Sequence, residues 1–145
     1  MGVLTDAFVA SEADLDSLQP GEGGPSARFP TVEGKSIDPL KLATLEAILR
    51  GQETYTYVAS IQEPLQDWGE QFVCRFPDTL VAALAQLQPS NMLQVAAAWA
   101  ATEEWQLDNP TSEAISGLAD LIASYSDLAQ RAQRESKSMY MWICL

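Results

Sequence analysis

Residues 111–145 read as one long helix that turns straight into a buried strand, and the rest of the chain has to be arranged to cover that ending. Ile115, Leu118, Ile122, Tyr125, Ala129 and Ala132 recur at steps of three and four, with Leu121 and Leu128 widening the stripe. This is the pattern of an amphipathic helix laid on a core, about six turns long. Asn109 and Pro110 suit the N-cap and first helical position, because the proline ring pre-sets the backbone angle and lacks an N–H that would be unpaired there anyway. Arg131, Arg134 and Lys137 fall in the last turns, where positive charge opposes the helix dipole. The closing run from Met139 through Trp142 to Leu145 is apolar without alternation, as expected of a strand covered on both faces.

The chain before this unit supplies its cover. Residues 3–10 are mixed apolar and small, an extended lead-in or short strand, and Ser11 caps a short helix whose apolar contacts are Leu15 and Leu18. Residues 19–34 are rich in glycine and proline and form a loop. Its Gly21-Glu22-Gly23-Gly24 is no phosphate cradle, since no apolar strand leads in, no lysine follows at the required spacing and a glutamate sits where phosphate would come. Asp38 caps and Pro39 starts a helix with Leu42, Leu45, Ile48 and Leu49 on one face and Gly51 as its left-handed stop. Tyr55, Tyr57, Ala59 and Ile61 alternate like an irregular strand that Pro64 interrupts, and Trp68-Gly69 closes it as a turn.

Residues 71–76 alternate better, placing Phe72, Cys74 and Phe76 on one face and Gln71, Val73 and Arg75 on a wet one. A helix over 78–88 carries Leu80, Val81, Leu84 and Leu87 inward, Pro89 ends it, and Ser90 or Asn91 caps another with Met92, Ala96, Trp99, Ala100 and Glu103 on one side. The alanine-rich run 95–101 lets another backbone come close. The sum is a single α+β domain over residues 1–145, dominated by helices, with the 19–34 loop inside it and a small sheet of two to four strands that includes the C-terminal one.

Charge narrows the partners. Twenty acidic residues stand against eight basic ones, a net of -12, so phosphate backbones and anionic membrane surfaces are repelled, and neither nucleic acid nor a membrane is an expected partner. No window reaches the ~18 apolar residues of a spanning helix, the first residues lack a basic export signal, and Ala7 stands where an acylation motif after Gly2 wants Ser or Thr. A cytoplasmic location is the expectation. Histidine is absent, which removes the commonest general base and zinc ligand together with every Ser-His or Cys-His nucleophile. Cys74 and Cys144 sit in apolar runs and read as small hydrophobes, with a disulfide or redox role open only if their strands are neighbours. No metal and no cofactor is expected.

The opening Met1-Gly2-Val3-Leu4-Thr5-Asp6, the segment from Gly34 through Asp38-Pro39 to Leu49-Arg50-Gly51, the Trp99-Ala100-Ala101-Thr102-Glu103-Glu104 helix end and the closing Tyr140-Met141-Trp142-Ile143-Cys144 resemble an uncharacterised family of small acidic bacterial proteins. The order of elements is also loosely similar to that of YfbM-like α+β proteins. The resemblance implies a compact bacterial domain and carries no activity, cofactor or catalytic residue.

Two constellations stand out. Glu103, Glu104 and Asp108 lie beside Trp99 and Trp105, and two indoles with carboxylates are suited to a cation or basic ligand; the plainer reading fills core with Trp99 and leaves the carboxylates in water. Tyr55, Tyr57, Trp68 and Phe72 gather around the irregular middle, either as a loop-borne site or as core. The leading expectation is a non-catalytic binding or protein-interaction domain whose acidic surface meets a basic protein partner. Two alternatives stand beside it: a small ligand-binding domain or enzyme working through carboxylates and tyrosines, and a subunit of a homo-oligomer.

Overall fold

The computed structural model describes residues 3–18, 24–53 and 65–145. Gly21 to Gly23 of the glycine loop and the Tyr55, Tyr57, Ala59 and Ile61 segment lie outside the described residues. The strands are β1 (Leu4–Ala10), β2 (Thr31–Val32), β3 (Gln66–Asp67), β4 (Gln71–Arg75) and β5 (Ser138–Cys144). The α-helices are α1 (Glu12–Asp16), α2 (Pro39–Arg50), α3 (Asp78–Gln86), α4 (Met92–Ala100) and α5 (Ser112–Arg134). The sheet order is β2-β1-β5-β4-β3, antiparallel throughout. Three full strands form its body, and the two-residue β2 and β3 finish its edges, so the α+β class with a small sheet including the C-terminal strand is what the chain adopts.

The C-terminal strand is the middle of that sheet. β1 pairs with it from Leu4↔Cys144 to Ala10↔Ser138, and β4 pairs with its other edge from Gln71↔Cys144 to Arg75↔Tyr140. Its five central residues are buried, as an apolar run without alternation requires. Met139, Met141 and Ile143 face the helices with Ala7, Val9, Cys74 and Phe76, while Tyr140 and Trp142 face the other way with Phe8, Ala10 and Val73.

That second face departs from expectation. Val73 is fully buried on the side that alternation made wet, because Leu15 of α1 and Leu18 just beyond it, with Phe29 and Trp68, cover it. The 3–10 lead-in is for the same reason a full strand with both faces enclosed. Phe8 packs between Phe29 at 5.5 Å and Tyr140 at 5.6 Å. Gly24, at φ 81°, lies so close to Trp142 that a Cβ there would come to 3.1 Å from the ring, and the positive φ together with that tight approach favours glycine.

The helix ends show which local signals acted. Ser11 caps α1 through Asp14 N–H at 3.1 Å, Asp38 caps α2 through Lys41 N–H at 2.8 Å, and Gly51 closes α2 in the left-handed region. α2 is not the one-sided helix its pattern suggests: seven successive residues, Lys41 to Ala47, are buried, so it is enclosed all round. α5 is capped by Thr111, whose hydroxyl accepts from Ala114 N–H at 3.1 Å, whereas Asn109 turns the chain at φ 53° and Pro110 precedes the helix. A 3-10 turn at Pro89–Asn91, without any side-chain cap, leads into α4. α5 passes to β5 in three residues, with Ser136 at φ 54° and Lys137 N–H donating to Ala132 O at 2.9 Å.

Cutting the chain after Ser138 therefore removes the middle of the sheet. Each buried side chain lost is worth about 1.5–3 kcal/mol against a whole-domain stability of about 5–15 kcal/mol. The shortened protein should show no cooperative thermal transition by circular dichroism; an unchanged melting temperature would contradict the placement of β5.

Candidate functional site

Two places gather chemistry, the tryptophan corner at the end of α4 and a cleft at the start of β1. At the corner, Thr102 donates its hydroxyl to Trp99 O at 2.7 Å as the helix ends, and Glu103–Trp105 make a single 3-10 turn before Gln106, at φ 53°, redirects the chain. Glu103 therefore lies beyond α4 and not on the face of Trp99. Trp99 is fully buried; its indole N–H donates to Lys41 O at 3.0 Å and Thr44 Oγ1 at 3.1 Å, which ties α4 to α2. Trp105 is half-buried and meets Trp99 edge to face at 5.0 Å.

The cation over this indole pair belongs to the protein itself. Lys41, itself buried, places Nζ 4.3 Å from the Trp105 ring centroid and donates to Ser36 O at 2.6 Å. Glu103 and Asp108 are exposed and Glu104 is half-exposed. The structure thus brings Trp99 and Trp105 together with Lys41, and leaves the three carboxylates around them at the surface. The sequence held no signal for Lys41, because a single lysine in an apolar helix face shows nothing of what covers it.

The aromatic set divides. Tyr55 and Tyr57 lie outside the described residues, Phe72 packs on the helical side of the sheet, and Trp68 packs on the other. Tyr125 and Tyr140 are both buried; burial, with the nearby Asp6 charge, pushes the Tyr125 hydroxyl far above its ordinary range, and that hydroxyl has no hydrogen-bond partner among the described residues. The cysteines cannot bridge. Cys74 faces the helices opposite Met141, and Cys144 faces the other side opposite Leu4 and Gln71. Burial raises the Cys74 thiol, which keeps it protonated and poorly nucleophilic. Among the described residues no three of His, Cys, Asp or Glu converge on a metal-sized space.

The cleft is a place that periodicity passed over. Asp6 shares the strand parity of Phe8 and Ala10 and is buried, yet it lines an opening of ≈ 370 Å³ with Glu33, Lys35, Leu4 and Trp142. Burial holds the Asp6 carboxyl above its ordinary value; a hydrogen bond from the Gly34 N–H works the other way, and the Glu33 charge adds to the rise. The signal that was present is a lone acidic residue in an otherwise apolar strand, in register with inward-facing side chains.

Two outcomes are expected from these geometries. Trp105→Ala removes the ring over Lys41 and half-buried packing on Trp99, and should lower stability by about 2–3 kcal/mol in chemical denaturation. Asp6 holds its proton to higher pH when folded than when unfolded, so it lowers stability as pH rises from the ordinary aspartate range through the raised value. Asp6→Asn abolishes that loss, so its melting temperature relative to the parent should climb as pH rises from the ordinary aspartate range through the raised folded value, levelling once Asp6 is ionised in the folded parent.

No family model and no curated protein matches this chain. Among solved structures, a protein of unknown function, YfbM from Escherichia coli, is similar over 98% of this chain and 99% of its own, at 11% sequence identity and a TM-score of 0.46.

Proposed function

We propose that the protein is a non-catalytic interaction domain that engages a basic protein partner through its acidic surface. The observation that supports this reading is the division of labour between charges. Most of the few cations are held by the chain's own groups: Arg28 by Ser17 and the Phe29 ring, Lys41 by Ser36 and Trp105, Arg50 by Glu46, Arg75 by Asp78, and both Arg131 and Lys137 by Glu135. The two basic neighbours of Glu135, Arg131 first, hold its carboxyl below the ordinary range.

Most of the described carboxylates instead face outward. Glu113, Asp120 and Asp127 are exposed at seven-residue spacing on α5, which sets them in one line about 10 Å apart along the helix, and Glu103 and Asp108 continue the negative surface beyond its N-terminus. Such a surface steers positively charged partners and raises their encounter rate.

The test is affinity capture from the native cell, followed by kinetics with the captured protein against the parent and the Glu103→Gln, Glu104→Gln, Asp108→Asn variant. A basic partner should be captured reproducibly, and the variant should associate roughly three- to tenfold more slowly with a flatter salt dependence, its folding stability changing by less than about 0.5 kcal/mol. Equal association rates and equal salt slopes for parent and variant would refute the acidic corner as the contact.

A further inference from the structure

Asp6 is more than nine-tenths buried, and among the described residues no lysine or arginine forms an ion pair with it. A carboxylate in that position is normally paired or neutralised, and a hydrogen bond from one backbone N–H is little compensation for lost water. The group is not sealed in, however, because it lines the ≈ 370 Å³ cleft. Glu33 brings a second carboxylate to the same opening and Lys35 a single ammonium, which leaves one net negative charge.

The apolar walls are Leu4, which is exposed, and Trp142. The indole is held in place, with its N–H donating to Gln71 Oε1 at 3.3 Å and its six-membered ring lying against Gly24. A charged end beside a fixed aromatic wall defines a ligand with two parts.

We propose that this cleft binds a primary ammonium group on a short hydrocarbon chain, with the ammonium between Asp6 and Glu33 and the chain along Leu4 and Trp142. One ammonium cancels the single net negative charge, supplies donors for both carboxylates and gains from the neighbouring indole. A divalent metal would overshoot that charge, and it wants six or more oxygen ligands where the cleft offers two carboxylates, the Ser26 hydroxyl, an ammonium and apolar walls. An anion would meet two carboxylates against one lysine. The proposal is independent of the acidic-surface reading, since Glu103, Glu104 and Asp108 do not line the cleft.

The same chemistry is carried by a free alkylamine and by a lysine side chain, and a titration of the whole ¹⁵N-labelled protein separates them. Butylammonium chloride and a terminally blocked Ala-Lys-Ala peptide are added in turn, with sodium chloride at equal ionic strength and butanol as controls. Saturable shifts of the Gly34 amide and the Trp142 indole N–H are expected with the amines and not with the controls. Asp6→Asn should weaken binding at least tenfold and Glu33→Gln about threefold; Glu33 is exposed, so its variant keeps the test valid if Asp6→Asn does not fold. Tighter binding of the peptide assigns a lysine side chain and tighter binding of butylammonium assigns a free amine, both within the proposal. It is overturned by the absence of saturable shifts, by equal shifts with either control, by calcium chloride binding more tightly than butylammonium, or by unchanged affinity in the folded variants.

Discussion

Everything in this fold leans on the pairing of β5 with two strands at once. A strand with a neighbour on each edge and side chains buried on each face has no route to water, so each backbone group along it has to be satisfied by β1 or β4. The helices cover one face of this three-strand body, and α1 with Phe29 and Trp68 covers the other. The two faces are unequal. The helical side holds the larger core, and the opposite side is closed by short pieces whose longest regular element among the described residues is five residues long. Such a short helix does not persist alone, so its order depends on Leu15 and Leu18 reaching the sheet.

The parts of this architecture that were legible in the sequence are those set by local chemistry. The stripe from Ile115 to Ala132, the Asp38 cap, the Gly51 stop and the unalternating run after Met139 each carry their structural meaning within a few residues. What periodicity could not show is what covers a face. Val73 alternates like a surface residue and is buried because α1, far away in sequence, lies over it. The expected N-cap at Asn109 failed on a near tie: Thr111 offers the same kind of acceptor two residues later in the extended conformation a cap needs, whereas Asn109 is left-handed at φ 53°.

The candidate sites repeat that lesson. Trp99 and Trp105 were found from their spacing, but the cation that completes their cluster comes from α2, whose Lys41 looks like any exposed lysine until the tertiary fold closes around it. Asp6 was hidden by its apolar company. The structure separates internal from external charge: Lys41 and Glu46 are buried and held by specific groups, Glu46 accepting from Thr79 at 2.6 Å, Asp6 is buried without a cationic partner, and most other described carboxylates are left to solvent. Their mutual repulsion opposes compaction, and the doubly buried sheet has to outweigh it.

The placement of β5 between β1 and β4 also sets the order in which the molecule can be born. A ribosome releases β1 early, yet the strand that pairs along its whole length is delivered only after α5 has emerged, so β1 spends synthesis with an unfilled edge. The tight turn through Ser136 then brings β5 in alongside a helix that is already a local folding unit. Sheet formation is thus a late closure over a great sequence distance, a topology that folds slowly compared with helical bundles of the same size. The nascent chain's exposure to chaperones and to self-association is greatest in the interval before that last strand arrives.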